Sequence, residues 1–159
     1  MLRIISGGQT GVDRGALDAA LDVGTPCGGW CPRGRLAEDG WIPERYPLIE
    51  IESDHYSDRT LKNVEDSDGT LIIHFGQLEG GTAFTRRCCI DHSKPHVVMD
   101  LSTHKTEDAV SETVRFIAAN NIGTLNVAGP RASKVAHARS TTHELIKAVL
   151  DIEKGASDL

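Results

Sequence analysis

The sequence predicts an α/β fold, a Rossmann-like three-layer αβα sandwich around a mostly parallel sheet. Short apolar runs alternate with amphipathic stretches along the chain, and glycine-rich turns follow several of the runs. Strands that alternate with helices favour a parallel sheet with helices on both faces. The 159 residues contain no internal repeat and no linker, so we expect one ligand-binding domain over residues 1–159.

Six short runs, rich in apolar or β-branched residues, are predicted to be strands. They are residues 2–5, 27–30, 48–52 (an edge strand), 70–75, 96–99 and 124–128. The stretches predicted to be helices are 12–23, 56–65, 79–91, the region around 110–120, and the chain after Gly129. Pro130 suits the first turn of that last helix. Residues 32–47 are rich in Gly, Pro and charge and predict a long loop, which is often functional.

The composition argues against several classes of function. Lys and Arg total 17 against 23 Asp and Glu, and the net charge of −6 does not favour nucleic acid or an anionic membrane. Aromatic residues make up only 4%, which argues against a stacking platform for single-stranded nucleic acid. No apolar run approaches the roughly 18 residues of a membrane-spanning helix. The start of the chain lacks the apolar stretch of a signal peptide, so a cytoplasmic location is expected.

The four cysteines are expected to be thiols, because a reducing compartment disfavours disulfides. They are Cys27, Cys31, Cys88 and Cys89. Neither pair has the Cys-x-x-Cys spacing of a zinc knuckle or a redox motif, and no metal site is predicted.

The first glycine turn lies between the strand over 2–5 and the helix over 12–23. Glycines allow a close approach of the backbone to a ligand, and the amides at a helix N-terminus favour an anion such as phosphate. The turn is not a P-loop, because no Lys-Ser or Lys-Thr follows, and Gln9 replaces the middle glycine of Gly-x-Gly-x-x-Gly. Its candidate ligand-binding residues are Gly7, Gly8, Gln9, Thr10 and Gly11. A purely structural turn is the alternative.

Nearby charges extend this candidate site. A dinucleotide-binding fold has an acidic residue about 20 positions further on, whereas here Arg33 and Arg35 occupy that region, which favours an anionic ligand over NAD. These two arginines are equally consistent with solvated loop charges. Asp13 and Arg14 lie in the first helical turn, where a cation is unfavourable unless it meets an anion. The alternative is an ion pair of Arg14 with Asp13 or Asp18.

A second glycine turn follows the strand over 70–75. Gly80, Gly81 and Thr82 open the next helix, and capping alone explains the threonine but not the paired glycines. Ligands in parallel sheets bind beyond the carboxyl ends of the strands, so the two turns are expected to form one cradle. Arg131 and Ser133, after the last strand, are lesser candidates.

Several motifs closely resemble the molybdenum cofactor carrier protein family. Residues 5–20 read ISGGQTGVDRGALDAA, residues 28–40 read GGWCPRGRLAEDG, and the match continues through 42–46, 63–64, 66–70 and 80–82. The family is similar to a wider Rossmann-like group that includes lysine-decarboxylase-like proteins and cytokinin-activating phosphoribohydrolases. The resemblance implies that the chain binds the molybdenum cofactor (molybdopterin), a pterin with a phosphate tail, and that molybdoenzymes receive it.

The phosphoribohydrolases carry Pro-Gly-Gly-x-Gly-Thr-x-x-Glu at the second turn. This chain has Ala83, Phe84 and Arg87 in place of the third glycine, the threonine and the catalytic glutamate. No catalytic residue is therefore predicted, and binding is favoured over that hydrolysis. A nucleotide- or nucleoside-phosphate-processing enzyme and a sensor of a nucleotide-like ligand remain alternatives. The sequence gives no support for a role of Mg²⁺.

A homo-oligomer, at least a dimer, is also expected. Trp30, Trp41 and Tyr46 lie in or beside the long loop, and exposed aromatic residues favour burial against a partner chain.

Overall fold

The computed structural model describes residues 1–159 and contains nine strands and five α-helices. The strands are β1 (Arg3–Ile5), β2 (Cys27–Gly28), β3 (Trp30–Cys31), β4 (Leu36–Ala37), β5 (Gly40–Trp41), β6 (Ile49–Glu50), β7 (Gly69–His74), β8 (His96–Asp100) and β9 (Thr124–Ala128). The helices are α1 (Val12–Asp22), α2 (Tyr56–Asp66), α3 (Gly80–Asp91), α4 (Thr106–Ala119) and α5 (Ala138–Ser157). None of the helices is long and apolar enough to cross a membrane.

Five strands form a parallel central sheet with helices on both faces, which confirms the predicted sandwich. Alternate residues of β7 point to opposite faces. Leu71 and Ile73 pack into the larger core with α1, α4 and α5. Ile72 packs on the other face with Val64 of α2 and Cys89 of α3. All four cysteines are free, and burial raises the pKa of each thiol.

The strand order of the central sheet is β2-β1-β9-β7-β8. The last strand thus lies in the middle, with Ile4 of β1 opposite Leu125 and Thr70 of β7 opposite Asn126. If the order is counted from β9 as the first strand, it reads 3-2-1-4-5, the order of doubly wound dinucleotide-binding folds. In such folds the ligand lies where the strand order reverses, which here is between β9 and β7.

The region between the first helix and α2 differs from its prediction. The run over 27–30 breaks at Gly29, whose φ of +127° turns the chain out of the central sheet. The next residues form β3, which pairs with β6 in a separate two-stranded sheet. The strand predicted over 48–52 therefore does not lie at the edge of the central sheet. The predicted loop over 32–47 contains a 3₁₀ turn (Arg33–Arg35) and the β4–β5 hairpin.

The last helix begins eight residues later than predicted, at Ala138. Pro130 is therefore not in its first turn. The carbonyl of Pro130 instead accepts a hydrogen bond from the Val12 amide (3.1 Å), at the start of α1. Residues 131–137 consequently form turns above the sheet edge where β9 ends.

We predict that Gly11→Ala destabilises the fold by about 3 kcal/mol, because it combines backbone strain with overpacking. Gly11 has φ +81°, and a Cβ atom there would lie 2.4 Å from the Pro130 carbonyl oxygen. Gly24→Ala is the matched control: its φ is +69° but a Cβ atom would meet nothing within 4 Å. We expect the control to cost about 1 kcal/mol in urea unfolding. Equal losses for the two variants would contradict the packing argument.

Candidate functional site

A cleft of about 640 Å³ lies at the carboxyl ends of β7 and β9. Its volume is within the range of roughly 300–1,000 Å³ typical of small-molecule sites. Its lining residues come from four segments of the chain, over 9–13, 56–60, 74–85 and 128–135. They are Gln9, Asp13, Tyr56, Ser57, Arg59, Thr60, His74, Phe75, Gln77, Glu79, Gly80, Gly81, Thr82, Phe84, Thr85, Ala128, Gly129, Pro130, Arg131, Lys134 and Val135. The cleft thus occupies the position at which the strand order reverses.

The N-terminus of α3 opens into this cleft without a side-chain cap. The amides of Gly80, Gly81 and Thr82 have no hydrogen-bond acceptor within the chain. A Cβ atom on Gly81 would meet nothing within 4 Å, so space lies open beside the first turn of the helix. Lys134 reaches over from the segment after β9, with Nζ 3.3 Å from the position of a Cβ atom on Gly80. The first turn of α3 can therefore accept an anion beside a lysine.

A second group of charges lies where α2 meets the first glycine turn. Arg59 crosses over Gly7 so closely that a Cβ atom there would lie 1.6 Å from Nη1. Nη1 lies 3.2 Å from the Asp13 carboxylate, which also accepts a hydrogen bond from the Gln9 amide (3.2 Å). Burial raises the pKa of Asp13, although the charge of Arg59 opposes the shift. The Nε of Arg59 is buried without a hydrogen-bond partner, while the residue itself lines the cleft.

The structure brings some of the sequence-predicted residues to the cleft and places others elsewhere. Those that line it are Gln9, Asp13, Gly80, Gly81 and Thr82. Those that do not line it are Gly7, Gly8, Thr10, Gly11, Arg14, Arg33 and Arg35. The second glycine turn therefore opens into the cleft over its whole length, whereas the first contributes only a part of its residues.

The acidic turn Glu38–Asp39, between β4 and β5, accounts for this difference. The buried guanidinium of Arg14 donates two hydrogen bonds to Asp39 (2.5 and 2.8 Å), and its Nε donates to the carbonyl of Gly8 (3.0 Å). Thr10 donates its hydroxyl hydrogen bond to Glu38. The chain's own carboxylates thus meet the groups that the sequence predicts for a bound anion. These hydrogen bonds hold the loop 32–47 against the first turn.

Two further arginines of the prediction are positioned within the same loop. Arg35 donates hydrogen bonds to several backbone carbonyls, those of Ile42, Pro43, Tyr46 and Leu48. It also stacks over Trp41, 5.5 Å from the ring centre. Arg33 is exposed and lies 3.9 Å from Asp54. Arg35 therefore organises the loop from inside, and Arg33 lies on its outer surface.

Several cleft residues were not predicted from the sequence. Arg59, Tyr56 and Lys134 belong to no local motif, because they enter the cleft from the start of α2 and from the turns before α5. Of the two lesser candidates from the sequence, Arg131 lines the cleft and also lies 3.4 Å from Glu38. Ser133 donates to Glu38 (2.6 Å) and does not line the cleft. The sequence signal that pointed to Arg131 and Ser133 was their position directly after the last predicted strand.

The fold and the cleft together define a Rossmann-like α/β protein with its ligand cleft at the strand-order reversal. Residues 4–150 match the model of the circularly permutated YpsA SLOG family, and the chain belongs to this family. The permutation in the family description agrees with the strand order, in which the last strand takes the place of the first. Comparison with curated proteins finds no match.

One solved structure resembles the chain over nearly its whole length. It is described as a "putative molybdenum carrier protein" from Syntrophus aciditrophicus SB. Its sequence is 47% identical, and the alignment covers 94% of this chain and 95% of that chain with a TM-score of 0.92.

We predict that Asp39→Asn flattens the loss of folding stability in acid. The hydrogen bonds from Arg14 hold the pKa of Asp39 below its usual value, so its contribution is present above the unfolded pKa of about 3.9 and is lost as the pH falls through the folded pKa. Urea unfolding between pH 3 and pH 7 measures this slope. Asp54→Asn, which removes an exposed carboxylate paired with Arg33, should leave the slope unchanged. Parallel curves for wild type and Asp39→Asn would contradict the prediction.

Proposed function

We propose that this protein binds the molybdenum cofactor, a phosphate-bearing pterin, in the cleft between β7 and β9 and carries it without converting it. The observation that carries the proposal is the lysine over the open, uncapped glycine turn of α3. The "molybdenum carrier protein" description of the 47% identical structure supports the choice of ligand.

The electrostatics of α3 favour an anion in the cleft. A helix N-terminus carries a partial positive charge, so the Lys134 ammonium beside it is unfavourable unless an anion lies between them. Lys134 forms no ion pair with a carboxylate of the chain. Glu79 precedes the helix, lines the same cleft and opposes an anion there. The phosphate of the ligand would therefore accept hydrogen bonds from the free amides and from Lys134.

Gly81 supports the same placement for a separate reason. Its backbone is not in the left-handed region, and no neighbouring atom excludes a Cβ atom. Glycine in a helix is less favourable than alanine by up to about 1 kcal/mol, so the fold alone gives no reason for glycine here. Close approach of a ligand to the helix backbone supplies that reason.

The remaining cleft groups suit the polar edge of a pterin ring. Arg59, Asp13 and Gln9 lie beside one another where they line the cleft. Together with the phosphate site, they match a ligand with an anionic tail and a ring rich in donors and acceptors. The proposed binding residues are therefore Gln9, Asp13, Arg59, Gly80, Gly81, Thr82 and Lys134.

A nucleotide- or nucleoside-phosphate-processing enzyme is the second candidate, and Asp13 favours it. A buried carboxyl with a raised pKa beside a cleft is typical of a general acid or base. Arg87, at the position of the phosphoribohydrolase glutamate, is exposed and lies outside the cleft. Turnover of nucleoside monophosphates that disappears in Asp13→Asn would favour this candidate over the carrier.

We further propose a homo-oligomer that acts in the cytoplasm and passes its cofactor to molybdoenzymes. Of the three aromatic residues behind the oligomer prediction, Tyr46 is buried and Trp41 is 50% exposed. Leu36, opposite Trp41 in the hairpin, and Ile49 are exposed as well. A monomer in light scattering at micromolar concentration would exclude the oligomer.

We predict that Lys134→Gln weakens binding of molybdopterin about tenfold, because one charge-assisted hydrogen bond to the phosphate is lost. Glu79→Gln should instead tighten binding, since it removes a like charge. Anaerobic titration calorimetry measures both affinities, and added salt should weaken wild-type binding. Lys147→Gln, an exposed lysine of α5 outside the cleft, is the control and should bind as wild type does. Equal affinities of wild type and Lys134→Gln would refute the phosphate site.

A further inference from the structure

Aromatic side chains are concentrated at the cleft in a chain that has few of them. The sequence contains two Trp, two Tyr and three Phe, and three of these seven residues, Tyr56, Phe75 and Phe84, line the cleft. Tyr56 is 51% exposed and Phe84 is 39% exposed. Large aromatic surfaces that face water at a cleft of ligand size are a feature of binding sites rather than of packing.

The position of Phe84 relates it directly to the proposed phosphate site. Phe84 lies three and four residues after Gly81 and Gly80, and residues at this spacing are neighbours on a helix surface, with Cβ atoms about 5–6 Å apart. Side chains of a helix also tilt toward its N-terminus, so the side chain of Phe84 is directed toward the open glycine turn. Because neither glycine has a side chain, one edge of the Phe84 ring remains uncovered by its own helix.

Tyr56 reaches the same cleft from a different helix. It is the first residue of α2, which packs beside α3 on one face of the sheet. The two exposed aromatic residues therefore border the cleft from two independent elements, while the partly buried Arg59 and the buried Asp13 lie beside the first glycine turn. One side of the cleft is thus apolar and aromatic, and the adjoining side is polar and charged.

We propose that Tyr56 and Phe84 bind the planar heteroaromatic ring of the ligand by stacking, within one helical turn of its phosphate. This inference rests on the proposed function, because the phosphate end fixes where the ring lies. It assigns the ligand class as a compact phosphate ester of a planar heterocycle, of the size of a pterin phosphate or a nucleoside monophosphate. Sugar phosphates and inorganic phosphate fill only the anion part of the site.

The test compares guanosine 5′-monophosphate with ribose 5-phosphate by titration calorimetry. The 2-amino-6-oxo edge of guanine presents the same donors and acceptors as the 2-amino-4-oxo edge of a pterin, and the second probe lacks an aromatic ring to stack. Stacking of one base on aromatic side chains corresponds to roughly a tenfold gain in affinity or more, so wild type should prefer the nucleotide by at least that ratio.

The variants separate stacking from general damage to the site. Phe84→Ala and Tyr56→Ala should each lower the preference for the nucleotide several-fold while the affinity for ribose 5-phosphate stays unchanged. Phe84→Tyr and Tyr56→Phe should retain the preference, because they keep an aromatic face. Ile90→Ala, a 55% exposed residue of the same helix outside the cleft, and Trp41→Ala are controls that should not change either affinity.

The possible outcomes distinguish failure of the stacking site from failure of the proposed function. If wild type binds both probes with equal affinity, or if Phe84→Ala weakens both probes to the same extent, the stacking site is refuted while the phosphate site stands. If wild type binds neither probe nor molybdopterin, the proposed function itself fails. A loss of preference confined to the alanine variants of Tyr56 and Phe84 supports the stacking site.

Discussion

The position of β9 in the middle of the sheet is the constraint on which the site depends. This strand pairs with β1 on one side and β7 on the other, so it joins two halves of the sheet that have no other direct pairing. The strand order reverses beside it, and two adjacent loops diverge there to opposite faces. The loop after β9 brings Lys134 toward the start of α3, although 53 residues separate Lys134 from Gly81 in the chain. A cleft with this charge arrangement exists only because the last strand is central.

The first glycine turn shows how a chain can satisfy an anion-binding motif internally. It offers a helix N-terminus, a threonine and a buried arginine, which are the features of a phosphate site. Glu38 and Asp39 take up the threonine and the arginine, and hydrogen bonds from Ser133 and Thr10 outweigh the desolvation of Glu38 to lower its pKa. The turn thereby attaches the long loop 32–47 to the edge of the sheet. Arg14 therefore holds the loop to the first glycine turn and does not line the cleft.

The sequence predicted those features that depend on neighbouring residues. Periodicity and glycine turns identified the alternating strands and helices, and Gly80, Gly81 and Thr82 were found because a glycine turn before a helix is a local signal. Arg59 and Lys134 were not found, because their approach to the cleft depends on the strand order. The length of the segment before α5 was also missed, since Pro130 suits a helix start locally but its carbonyl bonds to the distant Val12 amide. Arg14 was predicted either to meet a bound anion or to pair with Asp13 or Asp18, and the structure instead pairs it with Asp39 of the loop.

The central position of the last strand also constrains the order in which the protein assembles during synthesis. Before β9 leaves the ribosome, the only pairings of the central sheet available to β1, β2, β7 and β8 are two separate pairs with exposed inner edges, because their common neighbour begins only at Thr124. Unpaired strand edges are templates for association with other chains. Since β9 lies four-fifths of the way along the chain, closure of the sheet is a late, long-range event, which slows folding relative to a sheet built from sequential neighbours. A chain that ended before Thr124 would therefore leave the middle of the sheet open rather than shorten its edge.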